Sequence, residues 1–291
     1  MQLRSLGFRS VTAALILTFA GCATTQPASS APPSGAQAQE LRQEYTSQTV
    51  EISARPEVTE RFELLTPQQP KAVIVSFTGG DGRVYWQYAT PGNSKSNFLE
   101  RNRTLFAERG FVVASIAPPS DRTVLTGFRE TADHVQDIHA LIVWLRQKFS
   151  LPVWLLGTSA GTMSVAYAAI ELTGSDGPDG IVLTSSVLND SDDGTKTNLP
   201  LPDLAVDKIQ VPVLVVHHEM DGCGICRPSV LPVLMRKLTS APRKELWTVN
   251  GGQNIGDPCQ PQSYHGFNGV DEKVINKVAD WISTVPASSS Q

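Results

Sequence analysis

Positive charge is scarce in this chain of 291 residues, where 24 lysines and arginines stand against 28 aspartates and glutamates. The formal net charge of −4 argues against a nucleic-acid-binding surface, which needs clustered positive charge. No apolar run is long enough to span a bilayer, and the chain has no internal repeat. Only 18% of the residues are charged and 41% are hydrophobic, so most of the chain can bury a core and is not disordered. We expect one folded domain of somewhat over 200 residues.

The first 21 residues have the layout of an export signal. Arg4 and Arg9 precede the apolar stretch Val11–Ala20, and the small residue Gly21 follows it, just before Cys22. A positive flank, a short apolar stretch and a small-residue cleavage site are typical of secretory signal peptides. We therefore expect an exported protein.

The end of this signal, Phe19-Ala20-Gly21-Cys22, resembles a bacterial lipoprotein signal, although Phe19 stands where such signals usually have Leu. The resemblance implies that Cys22 is lipidated and anchors the protein in the cell envelope, periplasmic or outer-membrane. Secretion without a lipid is the alternative. Residues 22–43 are predicted to be a flexible tether, because the stretch 23–39 has only small or polar side chains. The folded domain is expected over residues 44–286, followed by a loose tail at 287–291.

Strand-like segments recur along the domain. An antiparallel edge pair is predicted first, followed by short apolar runs typical of strands that are covered on both faces. The predicted strands are Tyr45–Ser53, Arg61–Leu65, Val73–Phe77, Phe111–Ile116, Val153–Leu156, Ile181–Leu183, Val213–Val216 and Leu246–Val249.

Helical periodicity appears between the strands. Apolar residues recur at steps of three and four between Val135 and Phe149, and again between Val270 and Ile282. Alternating strands and helices predict an α/β fold with a doubly wound, mostly parallel sheet of about eight strands and helices on both faces. In such sheets, function is located at the carboxyl ends of the strands.

A G-x-S-x-G motif, Gly157-Thr158-Ser159-Ala160-Gly161, lies between a predicted strand and a predicted helix. A sharp turn there pushes the Ser159 hydroxyl out above the sheet, and the turn requires residues without bulky side chains at both glycines. The helix that follows directs free N–H groups and its dipole toward developing negative charge. The motif alone is also compatible with an ordinary glycine-rich turn, but this context predicts a nucleophilic serine.

The strand order and this motif resemble the α/β-hydrolase family over about residues 45–285. The resemblance implies a triad in the chain order Ser, acid, His. It places the acid on the turn after the penultimate strand, where Asp221 is favoured over the nearer Glu219 and the cluster Asn189–Asp193. It places the general base in the loop before the last helix, which holds His265.

The other four histidines are expected elsewhere. His134 and His139 lie on the helix before the Ser159 motif and are predicted to be structural. His217 and His218 alternate at a strand end, so at most one of them faces the site.

The resemblance also implies an oxyanion hole of backbone N–H groups. One donor is expected at Ala160, directly after the nucleophile, and the other in the turn Thr78-Gly79-Gly80-Asp81-Gly82. Lipase-like members often have His-Gly-Gly-Gly there, whereas this chain has Thr78 and an interrupted glycine run. Gly79 and Gly80 both remain candidates, and an ordinary tight turn is the alternative.

Three cysteines follow Cys22, and outside the cytoplasm a disulfide between two of them is expected. The possible pairs are Cys223–Cys259, Cys226–Cys259 and Cys223–Cys226. Resemblance to secreted bacterial hydrolases with a cysteine after the acid and another before the histidine favours Cys223–Cys259, which leaves Cys226 as a thiol. Only one Cys-x-x-Cys is present and no second ligand pair follows it, so no metal and no cofactor are expected.

The predicted function is a serine hydrolase that cleaves an ester through an acyl-enzyme. An amide, peptide or thioester hydrolase and a non-catalytic envelope-binding lipoprotein are the alternatives. The segment 188–202 is short and polar, so no large cap domain is expected but rather an open site with a mobile flap that suits a small-molecule or surface-borne ester. Tyr85, Trp86 and Tyr88 are predicted either to line this site or to pack on the flank of the domain.

Overall fold

The computed structural model describes residues 42–190 and 199–285. The predicted export signal at 1–21, the lipidation site Cys22, nearly all of the tether and the tail at 287–291 lie outside the described residues. The predicted flap at 188–202 is described only at its two ends.

The described chain forms one eight-stranded sheet in the order β1-β2-β4-β3-β5-β6-β7-β8. The pairs β1–β2 and β2–β4 are antiparallel, and every other neighbouring pair is parallel. The strands are β1 Tyr45–Arg55, β2 Val58–Pro67, β3 Ala72–Phe77, β4 Phe111–Ile116, β5 Val153–Thr158, β6 Gly180–Thr184, β7 Val213–His218 and β8 Lys244–Val249.

All eight predicted strands are present, and the antiparallel pair lies at the edge as predicted. Every residue of β3, β4, β5, β6 and β7 is buried, which explains why these strands have mostly apolar sequences. Strand β1 alternates more, with Ile52 buried and its neighbours exposed, as expected of an edge strand with one covered face.

Five α-helices among the described residues cover the two faces of the sheet. One face packs against α2, α3 and α4, and the other against α1 and α5. The helices are α1 Phe98–Glu108, α2 Ala132–Phe149, α3 Gly161–Glu171, α4 Leu231–Lys237 and α5 Asp271–Thr284. The fold class predicted from the sequence is therefore confirmed, with no large cap in the described chain.

The parallel register brings six loops, those that follow β3 to β8, to one edge of the sheet. Strand β5 pairs with β3 on one side and β6 on the other, and β7 pairs with β6 and β8. The turns that follow β3, β5, β7 and β8 therefore meet at the carboxyl edge of the sheet. Among the described residues, no helix has both the length and the apolar character needed to cross a membrane.

Candidate active site

Ser159 lies on the sharp turn between β5 and α3. Its φ of +52° is a left-handed conformation that L-residues other than Asn and Asp rarely adopt. Its backbone N–H donates to the carbonyl of Thr184 at 3.0 Å, and its carbonyl accepts from the Thr162 hydroxyl at 2.6 Å. These bonds hold the turn, and the Ser159 side chain is half-buried at the carboxyl edge.

The two motif glycines are required by close backbone approaches. A Cβ on Gly161 would lie 2.1 Å from the carbonyl oxygen of Phe77, and one on Gly157 would lie 2.6 Å from that of Gly161. Such contacts exclude any larger residue without movement of the backbone. The spacing of the motif thus reflects how tightly α3 packs onto β5 and β3.

Asp221 and His265 meet across the loops that follow β7 and β8. The distance between His265 Nδ1 and Asp221 Oδ2 is 2.8 Å, and both side chains are buried. Asp221 Oδ1 also accepts from the backbone N–H of Cys223 at 2.9 Å. Burial opposes ionisation of Asp221, but hydrogen bonds from His217 and His265 outweigh it and lower its pKa to about 2. Asp221 is therefore a carboxylate at neutral pH.

His217 is a second buried histidine on the same carboxylate. Its Nε2 lies 3.3 Å from Asp221 Oδ2 and 2.8 Å from the carbonyl oxygen of Cys226. Both neighbours are acceptors, so Nε2 carries the proton. His218 points elsewhere: its Nε2 bonds the Gly251 carbonyl, and its ring stacks on Tyr264 at 4.2 Å between centroids. As predicted, only one of the two faces the site.

The backbone around His265 is held on both sides. The carbonyl of His265 accepts from the Ser185 hydroxyl at 2.6 Å, and its N–H donates to the Ser263 hydroxyl at 3.1 Å. Buried Arg101 bonds the next carbonyl, that of Gly266, at 2.5 Å. Ser185 itself has a φ of +45°, so a second strained residue supports the site.

Cys226 lies close to both Ser159 and His265. Its thiol interacts with the Ser159 side chain, and its sulfur is within 4.8 Å of a ring nitrogen of His265. Within residues 42–190 and 199–285, no hydrogen bond joins the Ser159 hydroxyl to His265. Hydrogen bonds of this kind are often long without substrate and shorten in the complex. The bond between His265 and Asp221, which holds the orientation of the histidine ring, is already formed.

Backbone N–H groups are available beside Ser159. In the part of the chain that the structure describes, the N–H groups of Ala160, Gly79 and Gly80 donate to no protein acceptor. A Cβ on Gly79 would lie 2.8 Å from the Cβ of Ser159, whereas one on Gly80 would meet nothing within 4 Å. The turn after β3 is therefore in direct contact with the serine at Gly79.

A disulfide joins Cys223 to Cys259, with a Cα–Cα distance of 4.5 Å, so the favoured pairing is the one observed. It ties the loop of Asp221 to the loop of His265. Cys226 remains a buried thiol. Burial and the charge of Asp221 raise its pKa well above the usual value. Cys223, Cys226 and His265 lie within 4.8 Å of one another, but the disulfide occupies Cys223 and leaves a metal two ligands at most.

The competing candidates lie away from this centre. Glu219 is exposed and bonds the Thr248 hydroxyl, while Asp190 is exposed beyond β6 and residues 191–193 lie outside the described chain. His134 is buried on α2, with Nε2 bonded to the Ser164 hydroxyl at 2.9 Å, and His139 lies 3.5 Å from Asp176.

Of the three aromatic residues after β3, Trp86 takes one of the two predicted positions, the flank of the domain. The Trp86 indole donates to the Ser115 hydroxyl and packs under Arg61, on the flank of the domain. Tyr85 and Tyr88 are exposed at the carboxyl edge.

Two residues of the site, Ser185 and Arg129, were not anticipated as parts of it, and His217 was one of two candidates. Ser185 follows β6 directly, so the rule that places function at carboxyl strand ends would have singled it out. His217 was left open between two faces of a strand. Arg129 is fully buried and bonds the Thr78 and Gly80 carbonyls, and an arginine between Phe128 and Glu130 carries no local signal of burial.

Solved structures share this architecture at low sequence identity. An esterase from Pyrococcus furiosus superposes with a TM-score of 0.60 at 12% identity, over 82% of this chain and 92% of that one. A dienelactone hydrolase from Anabaena variabilis gives 0.54 at 15% identity, over 82% and 97%. A cold-adapted esterase from an Arctic intertidal metagenomic library gives 0.51 at 17% identity, over 81% and 93%. No protein-family model and no curated protein matches the sequence.

These likenesses, together with the sheet order and the turn at Ser159, define the fold. The chain has the α/β-hydrolase fold, as the sequence motifs implied.

Proposed function

We propose that this protein is a serine hydrolase that cleaves carboxylic esters with Ser159, His265 and Asp221. The observation that carries the proposal is the buried bond between His265 Nδ1 and Asp221 Oδ2, at 2.8 Å, next to a serine on a strained strand–helix turn. A buried carboxylate on one ring nitrogen leaves the other nitrogen of His265 to act as a base.

The reaction has two stages. In the first, Ser159 Oγ attacks the acyl carbon while His265 Nε2 takes its proton and then gives that proton to the departing alcohol. In the second, water gives a proton to His265 and attacks the acyl-enzyme, and Ser159 regains its proton as the acid leaves. Asp221 remains ionised throughout, keeps the imidazole in the required tautomer and stabilises its cationic form.

Negative charge develops on the carbonyl oxygen in both stages. The unpaired N–H of Ala160 and one from the turn after β3 would donate to it. Fixed donors of this kind lower the barrier because they need no reorganisation during the reaction.

The ester class is supported by the site's surroundings. The large exposed apolar side chains of the described chain all lie on loops that follow the carboxyl ends of strands. They are Tyr85, Tyr88, Leu199, Met220 and Ile255. An apolar rim of this kind suits an uncharged ester with apolar acyl or alcohol groups. The known structures of the same fold include esterases and a dienelactone hydrolase, whose names describe ester and lactone substrates.

The test is labelling of the full chain with a fluorophosphonate, followed by intact-mass measurement and peptide mapping. We expect one adduct, on Ser159, that is lost in His265→Ala. Folded protein without an adduct would contradict the proposal and favour a binding role for the fold. Tyr264→Phe is a suitable control, because it keeps the ring that stacks on His218 and leaves the triad intact.

Turnover of 4-nitrophenyl esters should follow the same residues. Ser159→Ala and His265→Ala should each lose nearly all turnover, and the double variant should lose little more, because the three residues act as a unit. Asp221→Asn should cost about 10⁴ in kcat, the loss typical of an acid that sets the histidine tautomer. Comparable turnover in Ser159→Ala would contradict the mechanism. Faster cleavage of matched amides or thioesters than of esters would change the substrate class but not the triad.

A further inference from the structure

Arg129 is a buried cation whose bonds go to backbone and hydroxyl oxygens. Its side chain is 1% exposed, and the charges of Asp81 and Glu130 act on it without a salt bridge to either within the described residues. Its Nη2 donates to the carbonyls of Thr78 and Gly80, each at 3.1 Å, and its Nη1 donates to the Ser164 hydroxyl at 3.0 Å. A buried charge costs free energy unless it is well bonded, so the position of this guanidinium requires a reason.

The bond to Thr78 fixes one peptide plane. The described chain contains no cis peptide bond, and in a trans peptide the C=O and N–H groups point in opposite directions. Arg129 donates to the Thr78 carbonyl. The N–H of the same peptide, that of Gly79, therefore points away from Arg129. Gly79 is also the residue that lies against Ser159.

The Gly80 N–H belongs to a different peptide. The carbonyl of that peptide, Gly79 O, accepts from the Gly82 N–H at 3.2 Å, so the local turn orients it rather than Arg129. A Cβ on Gly80 would meet no atom within 4 Å, so Gly80, unlike Gly79, does not contact Ser159. Of the two glycines, Gly79 is therefore the one whose N–H is oriented by Arg129 and whose backbone contacts Ser159.

The bond to Ser164 reaches the other half of the site. Ser164 is on α3, whose N-terminus follows Ala160, the other N–H donor. Ser164 is held in turn by His134 Nε2 at 2.9 Å. A single planar guanidinium thus bridges the turn after β3 and the helix after Ser159.

We propose that Arg129 is a positioning residue that aligns the two halves of the oxyanion hole, with Gly79 N–H as the second donor beside Ala160 N–H. The inference rests on the proposed ester hydrolysis and specifies how it works. Burial lowers the pKa of Arg129 to about 10, so the group is charged at neutral pH. Its charge also polarises the Thr78–Gly79 peptide and strengthens the Gly79 N–H as a donor.

The experiment compares a 4-nitrophenyl ester with its thiono analogue, in which sulfur replaces the carbonyl oxygen. Sulfur is a poor hydrogen-bond acceptor, so the ratio of kcat/KM for the two substrates reports on the donors of the oxyanion hole. The ratio does not depend on the fraction of protein that is folded, which separates alignment from stability. The variants are Arg129→Met and Arg129→Lys, and Arg146→Met is the control. Arg146 also bonds a backbone carbonyl, that of Ser175, but does so at the opposite end of the sheet.

In Arg129→Met we expect kcat for the oxygen ester to fall about 10²-fold with KM little changed, within the range for loss of one oxyanion donor. The oxygen-to-sulfur ratio should fall at least about tenfold. Arg129→Lys keeps the charge but loses the planar fork, and should give an intermediate ratio. Arg146→Met should keep the wild-type ratio.

A wild-type ratio in both Arg129 variants would overturn the inference, whatever their total activity. So would a wild-type protein that cleaves both esters equally well. If the wild type cleaves neither ester and takes up no fluorophosphonate, the proposed function itself fails and the inference fails with it.

Discussion

Ser159 and Ser185 are both strained in backbone conformation, with φ of +52° and +45° at the ends of neighbouring strands. Each left-handed residue costs about 1–2 kcal/mol, so the surrounding structure must hold it there. The hydrogen bonds to Thr184, Val216 and His265 do this. At the residue scale, the serine is presented by a backbone that is fixed before any substrate arrives.

The close packing around the Ser159 turn leaves no room for a side chain at Gly161. We expect Gly161→Ala to lower the free energy of unfolding by about 3 kcal/mol or more, because its Cβ would meet a backbone oxygen that no rotamer can move. Gly174→Ala is the matched control: nothing lies within 4 Å of that Cβ, so only its positive φ costs about 1 kcal/mol. Urea unfolding measures both, and equal losses in the two variants would show that the close approach to Phe77 does not matter.

At the scale of elements, α1 forms hydrogen bonds that anchor two loops of the site. Its Arg101 and Asn102 both bond Asp271 at the start of α5, and Arg101 also reaches the Gly266 carbonyl. Its Glu100 accepts the backbone N–H of Tyr85 at 2.8 Å and so holds the loop after β3. One helix therefore anchors both the histidine loop and the loop next to the oxyanion turn.

Glu100 should make stability depend on pH. Burial raises its pKa from 4.5 to about 7, against the opposing bond from Tyr85 and charge of Arg103. The unfolded chain releases this proton near pH 4.5 and the folded chain near pH 7. The folded state thus binds more protons in between, and stability falls as pH rises across that window. The full shift corresponds to about 3 kcal/mol.

Glu100→Gln removes the titration but keeps an acceptor for Tyr85. Its free energy of unfolding, measured in urea from pH 4.5 to 8, should vary less with pH than that of the wild type. Glu171→Gln, at an exposed position on α3, should keep the wild-type slope. If Glu100→Gln also keeps the wild-type slope, the buried carboxyl is not the source of the pH dependence.

The sequence is most informative where the signal is local. The buried strands were predicted because strands covered on both faces have mostly apolar residues, and Ser159 because its turn permits few residues. Helix α1 was not predicted, since its buried Glu100, Arg101 and Arg103 conceal the apolar period. Arg129 was missed because partners 49 and 51 residues away in the chain determine its burial.

At the scale of the whole molecule, one covalent bond links the two loops that carry Asp221 and His265. Such a bond persists in an oxidising compartment, which agrees with the export that Arg4, Arg9 and Cys22 predict. That export and the lipid anchor at Cys22 stay predictions. The disulfide also constrains the unfolded chain, because it closes a segment with a sequence separation of 36.

Loss of this bond should affect stability and catalysis together. A double variant, Cys223→Ala with Cys259→Ala, should lose up to about 4 kcal/mol of unfolding free energy, the chain-entropy value for a loop of this length. Its kcat should fall, because the acid and the histidine would no longer share a fixed distance. Cys226→Ala is the control for stability, because it removes a buried sulfur but keeps the disulfide. Its unfolding midpoint should fall when reductant opens the bond, as that of the wild type should, whereas the double variant should not respond to reductant. The measurement is urea unfolding with and without reductant, with intact mass used to verify that the reductant has opened the disulfide. An unchanged midpoint and unchanged kcat in the double variant would mean that packing alone holds the two loops, with the bond adding nothing to the geometry of Asp221 and His265.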